Sequence, residues 1–207
     1  MKRRVLIATS NSGKLRDFAG AAAVFGVEVS ALPKMAMLPA VEEDGATFEA
    51  NARKKAEAYS RYAPGELVLA DDSGLEVDAL GGAPGVWSAR YAAAAPGENS
   101  SDEANNAKLL RHLAAVPQER RSARFVCVIA AARDGETVAS FRGQAEGQIL
   151  FEPRGSNGFG YDPLFYVPEV AKTFAEFTAE DKARISHRGR AMEKFLEWAR
   201  GATAKEE

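Results

Sequence analysis

The sequence has a single cysteine, Cys127, inside the apolar stretch RFVCVIAA. One thiol supports neither a disulfide framework nor a cysteine-based zinc site, and its neighbours mark it as a buried small hydrophobe. A basic excess is missing as well: 27 Lys and Arg stand against 29 Asp and Glu, a net charge of -2. That argues against a broad nucleic-acid-binding surface, yet leaves room for a local cationic pocket that takes a small anion. No apolar run approaches the ~20 residues of a membrane span. The stretch MKRRVLIATSNSGK has basic residues and then an apolar run too short for a signal-peptide core, so the expected location is the cytoplasm. Repeats, linkers and low-complexity tracts are lacking too. With 207 residues and 46% hydrophobic content, the chain suffices for one buried core or one core with a lobe.

Periodicity predicts a buried strand over 4–10, a helix over 13–26 closed by Gly26, and a short strand over 27–32. A helix over 47–63 follows, with Thr47 as its N-cap, and then a strand over 66–73 that ends in Asp71-Asp72. Gly and Pro make 81–97 a loop, and 101–116 reads as a helix capped by Ser101 or Asp102. The pattern then changes to two strands around Asp134-Gly135, a hairpin signal. A loop over 152–163, a short strand over 164–169, a mostly helical stretch over 179–200 and a frayed tail over 201–207 complete the reading. Strand–helix alternation first and a hairpin later predict an α/β fold, a mixed sheet with a central cleft.

Three stretches carry chemistry. In TSNSGK, Thr9 to Lys14, a strand ends, a small polar turn follows and a helix begins. Helix-start N–H groups attract an anion, and Lys14 adds a full charge. The stretch is no Walker A loop, because Ala8 stands where Gly belongs and Leu15 where the magnesium-touching Ser or Thr belongs. Phosphate binding and a well-capped helix both remain open here. Asp71 and Asp72 are two like charges beside an apolar run. Side chains alternate along a strand, so the pair points to opposite faces, one into a ligand site and the other to a cap. Magnesium resolves the repulsion, since it favours one or two carboxylates plus phosphate oxygens; a turn-capping pair is the alternative. Glu42, Glu43 and Asp44 form an acidic loop before a helix on which Asn51 and Lys55 share a face. Finally, SNGFGYDPLF offers glycines beside Phe159 and Tyr161, and EDKARISHRG gathers Lys182, Arg184, His187 and Arg188. An aromatic there stacks on a planar ring or packs in the turn, and the cations are hydrogen-bond donors that suit a carbonyl oxygen. His112, Trp87 and Trp198 read as surface or packing residues.

Taken together and in order, TSNSGK, EEDGATFEANA, ADDSGLEVDALGGAPGVWSARY, GFGYDPLF and ISHRG closely resemble the non-canonical purine nucleoside triphosphate pyrophosphatases, the inosine triphosphatase or dITP/XTP pyrophosphatase family, over residues 4–198. The resemblance implies an elongated α/β fold in a single domain, 1–207, with two lobes around a deep cleft, and a homodimer. It implies a Mg2+-dependent enzyme that hydrolyses ITP, dITP and XTP to the monophosphate and pyrophosphate; the charge balance and the lack of a long apolar run add the expectation of no nucleic-acid or membrane partner. Carried over by motif, Thr9, Ser10, Asn11, Ser12, Gly13 and Lys14 contact the triphosphate. Glu42 and Asp72 hold the metal, with Glu43 the alternative to Glu42, and Asp72 is also the catalytic base. Ser73 contacts substrate. Phe159, Gly160, Tyr161, Asp162, Lys182, His187 and Arg188 form the base pocket, Phe159 stacking on the purine and Arg188 near its 6-oxo group. Departures from the family pattern are Ala50, where a second Glu is common, and the alanine-rich stretch after SARY.

Overall fold

The computed structural model describes residues 4–95 and 98–203. Short apolar runs build the parallel part of a sheet. β1 (Arg4–Ile7) pairs in parallel with β2 (Glu28–Ala31) on one side and β3 (Val68–Val77) on the other. Two helices make the crossovers, α1 (Ser12–Ala23) and α2 (Phe48–Ser60). Thr47 caps α2 as the sequence predicts, its side chain accepting the Ala50 N–H at 3.1 Å. α3 (Asp102–His112) is capped by Ser101. The predicted hairpin is β4 (Ser122–Arg133) and β5 (Glu136–Ile149). Its turn residues Asp134 and Gly135 both have positive φ, the left-handed pair that a two-residue turn of the I′ type requires. β6 (Phe165–Val167) and β7 (Lys172–Thr173) add antiparallel strands, so the sheet order is β2-β1-β3-β4-β5-β6-β7. The mixed α/β sheet is the one the sequence predicts.

Four local expectations need correction. β3 does not end at Asp71-Asp72 but runs on through Ser73 and Gly74 to Val77. Gly74 is tolerated inside the strand because a Cβ there would overlap the Ser88 hydroxyl; close approach, not a turn, is what this glycine serves. The C-terminal helical stretch is two helices, α4 (Ala179–Ile185) and α5 (His187–Thr203). Ser186 divides them: its hydroxyl accepts the Gly189 N–H at 3.1 Å, as an N-cap does. α5 also continues through Gly201 to Thr203, so that part of the expected frayed tail is helical, while 204–207 lie outside the described residues. Within the predicted loop 81–97, Gly85–Arg90 forms a 3-10 helix, and Pro96 and Gly97 lie outside the described residues.

By their packing the residues divide into two units, Met1–Asp72 with Cys127–Gln144 and Ala183–Glu207, and Ser73–Val126 with Ala145–Lys182. In the first, Ile7, Leu69, Cys127 and Ile129 of the sheet pack with Phe18 of α1 and Phe195 of α5, all essentially inaccessible to solvent. Each such side chain contributes ~2 kcal/mol by leaving water. Along its length α2 is tied to the hairpin: Ser140 donates to Glu49 at 2.8 Å, Thr137 to Glu57 at 2.7 Å, and the Gly135 N–H to the Ser60 hydroxyl at 2.9 Å. In the second unit Phe125, Phe165 and Phe174 form an aromatic cluster with ring centroids 4.6 to 5.6 Å apart.

Candidate active site

Register explains the first contact of the site. Ile7 pairs with Leu69, which sets the turn after β1 beside the residues that follow Leu69 in β3. The Ala8 N–H, donating to the Leu69 carbonyl at 2.7 Å, extends the pairing into that turn. α1 starts there with Asn11 as its cap, the side-chain oxygen accepting the Lys14 N–H at 2.9 Å. The capped-helix reading of TSNSGK is therefore met. Thr9 and Gly13 are buried, and Ser10, Asn11 and Ser12 are exposed around the helix mouth. From the first turn of α1, Lys14 reaches the Asp71 carboxylate at 2.9 Å. Burial pushes Asp71 upward, but Lys14, Lys55 and Arg188 outweigh it and hold the carboxyl below its usual range.

Asp72 meets a different helix, as alternation along β3 requires. It accepts a hydrogen bond from Asn51 Nδ2 at 2.9 Å, and Lys55 Nζ lies 3.8 Å away. Asn51 is oriented by the acidic loop, its Oδ1 accepting the Gly45 N–H at 2.8 Å, so its amide presents Nδ2 to Asp72. Lys55 donates to Glu43 at 2.8 Å, and Glu43 also shares a hydrogen bond with Asp72. Burial and the neighbouring Glu43 push Asp72 from 3.8 to about 6, against the pull of Lys55, Lys14 and Asn51. For Glu43, burial acts upward, but attraction to Lys55 and Lys14 brings it below the usual range. Glu42 is exposed on the same loop. Ser73 is half-buried next to Asp72 in β3. At the start of α5, His187 and Arg188 are buried, and Arg188 donates to Asp17 of α1 at 3.0 Å.

The second unit holds its own cluster. Asp162 Oδ2 accepts from Lys182 Nζ at 2.6 Å and from the Phe159 N–H at 2.9 Å. The Lys182 ammonium stands 5.2 Å from the centre of the Phe159 ring, which is half-buried. A charge so placed is attracted to the ring face. Gly158, at φ +77, must be glycine: a Cβ would overlap Asp162 Oδ2. Tyr161 is buried and donates to the Ser88 carbonyl at 2.8 Å.

Comparison with known proteins decides the family. The Ham1 family model matches residues 5–198, which is nearly the whole chain. This chain belongs to the Ham1 family. A dITP/XTP pyrophosphatase of Acidobacterium capsulatum is 53% identical over 200 residues, covering 95% of this chain and 98% of the relative. One from Desulforamulus reducens is 52% identical, with 94% of each chain covered. Among solved structures, the Staphylococcus aureus Ham1 protein superposes with a TM-score of 0.80 at 44% identity, over 97% of this chain and all of the other. A HAM1 protein of Coxiella burnetii gives 0.81 at 40% identity, over 96% and 99%.

In this Ham1 family member two residues of the acidic cluster were missed as site residues by sequence reasoning, Asn51 and Lys55. Their shared helix face was the available signal, but nothing local reveals that the face meets Asp72. The cluster's donor set suits magnesium. Two carboxylates, Asp72 and Glu43, lie in hydrogen-bonding contact, and Asp72 gains proton affinity because burial, and after it the like charge of Glu43, disfavours its ionised form; a divalent ion would offset the same charge. Among the described residues no three ligating side chains converge. A binder that draws its remaining ligands from phosphate oxygens and water needs no more than two.

The raised Asp72 predicts a pH dependence. A carboxyl that holds its proton more tightly when folded adds stability below pH 3.8, and this is lost as pH rises through about 6. At ~1.4 kcal/mol per unit, the loss is about 3 kcal/mol in the metal-free protein. Asp71 and Glu43, shifted downward, act in the opposite sense and lose their contribution as pH falls. A divalent cation held at Asp72 would compete with that proton, so any Mg2+ affinity of the cluster is expected to rise about tenfold per pH unit up to about pH 6 and level off above it. Calorimetric Mg2+ titrations across that range check it, and a flat affinity contradicts it.

Proposed function

We propose that this protein is a Mg2+-dependent nucleoside triphosphate pyrophosphatase that acts on the non-canonical purine nucleotides dITP, XTP and ITP, releasing the monophosphate and pyrophosphate. The observation that carries the reading is the pair of charge clusters on neighbouring residues of β3, Lys14–Asp71 toward α1 and Asp72–Glu43–Lys55 toward α2. The relatives' names support the same activity. The family resemblance extends the reading to a homodimer working in the cytoplasm.

In this reading the helix mouth from Thr9 to Lys14 binds phosphate oxygens through N–H groups and the Lys14 ammonium. Asp72 and Glu43, rather than the exposed Glu42, hold Mg2+, which when bound neutralises phosphate charge. Asp72 accepts the proton of the attacking water, and Asn51 keeps its carboxylate turned for that task. Water attacks the α-phosphorus, its oxygen forming the new P–O bond as the bond to the bridging oxygen breaks, and pyrophosphate leaves with that oxygen. Lys14 and Lys55 stabilise the charge that accumulates. In the second unit Phe159 offers a ring for a purine to stack on, and Lys182 a donor for an oxo group. Adenine presents an amino group where a donor needs an acceptor, at a cost of roughly 1–3 kcal/mol per unpaired group. His187 and Arg188, assigned to the base by resemblance, are donors of the same kind.

Pyrophosphate release from ITP, XTP and dITP, compared with ATP and with and without Mg2+, tests the reading. The expected result is release from the oxo purines that stops when the metal is chelated. Release of orthophosphate alone, or equal release from ATP, overturns it.

A further inference from the structure

Phe159 sits in a turn that borrows its rigidity from elsewhere. Gly160 follows it with φ +64, and both polar groups of Gly160 are taken by α3. Its N–H donates to Asp102 Oδ2 at 2.6 Å, and its carbonyl accepts from Asn106 Nδ2 at 3.0 Å. Asp102 and Asn106 are four residues apart, one above the other on the helix face, so one acceptor and one donor grip a single residue from both sides. The far end of α3 is fixed in turn. Arg121, buried, donates to the carbonyls of Leu113 at 2.7 Å and Val116 at 2.9 Å, just past the helix. α3 is thus a strut with an anchored base and a gripping tip.

We propose that Asp102 and Asn106 are positioning residues for nucleobase binding, acting by holding Gly160 so that the Phe159 ring stays at its stacking height beside Lys182. The inference rests on the reading of Phe159 as the purine platform. Neither residue needs to touch substrate. An aromatic platform rewards a planar base only while it is held still; a ring that wanders must be ordered by each binding event, which weakens affinity without altering the bond-breaking step. A grip on the backbone, unlike one on the ring itself, leaves the stacking face open.

The experiment is steady-state pyrophosphate release from ITP and XTP by Asp102→Ala, Asp102→Asn and Asn106→Leu. Asp102→Ala and Asn106→Leu are each expected to raise KM about fivefold to tenfold with kcat changed less than about twofold. Asp102→Asn keeps an oxygen that accepts the Gly160 N–H and is expected to restore most of the loss. Both residues act on one residue, so the double variant Asp102→Ala, Asn106→Leu is expected to fall short of the product of the single effects. A purely structural role would lower active enzyme and thus kcat, with KM unmoved. If Asp102→Ala fails to fold, Asn106→Leu and Asp102→Asn carry the same comparison. Unmoved KM in folded variants of an active enzyme overturns the strut alone. A wild-type protein that releases no pyrophosphate overturns the assigned reaction and the inference with it.

Discussion

Replacing Asp72 with Asn is expected to lower turnover of ITP or XTP at least ~100-fold while making the metal-free protein more resistant to heat. The two effects share one cause. Asp72 is buried beside Glu43, and its ionised form is disfavoured there. Asparagine has the same volume and still accepts the hydrogen bond from Asn51, but it carries no charge to bury and cannot take a proton from water. The recovered stability is part of the roughly 3 kcal/mol by which the ionised carboxyl is penalised, worth several degrees at about 2–4 °C per kcal/mol for a chain of this size. Turnover and thermal melting on one metal-free preparation measure both. Near-normal turnover removes Asp72 from the role of base. A melting point that falls shows that the charge is better compensated than its burial implies.

Lys14→Met is expected to act in the contrary direction on stability, costing about 3 kcal/mol, and to lower kcat/KM by roughly 100-fold. Methionine replaces the apolar stem of Lys14 but leaves Asp71, 2% exposed, without the ammonium now 2.9 Å away. Lys55 and Arg188 still attract Asp71 and limit the loss. The destabilisation should shrink as pH falls, because a protonated Asp71 no longer needs a cation. Urea denaturation at about pH 7 and about pH 4 tests this. An equal loss at both would assign the effect to packing rather than charge.

The strong local signals were readable in the chain. Thr47 ahead of an amphipathic run, Asp-Gly between two apolar runs, and a polar turn closing a short apolar strand each have one dominant backbone solution. What stayed hidden is set by distant partners. Asp-Asp-Ser-Gly looks like a turn, and only the proximity of Ser88 reveals Gly74 as a strand residue. Glu42 and Glu43 have near-identical neighbours, so nothing in the stretch says which one reaches Lys55 and Asp72. The break at Ser186 was missed although its signal was present: a serine three residues ahead of Gly189, whose N–H it caps. The hydrophobic pattern runs on across the break, and it outweighed the cap.

The tethers between α2 and the hairpin bear on how this protein tolerates change. Surface turns ordinarily accept extra residues at little thermodynamic expense. Here the turn is bonded to Ser60, and the strand after it to Glu57 and Glu49, along the helix that also carries Lys55 and Asn51. The hairpin is therefore a ruler laid against α2. An insertion at Asp134-Gly135 would pull on the helix that carries Lys55 and Asn51, and under the roles proposed for them it would be read out as lost activity rather than as a harmless bulge.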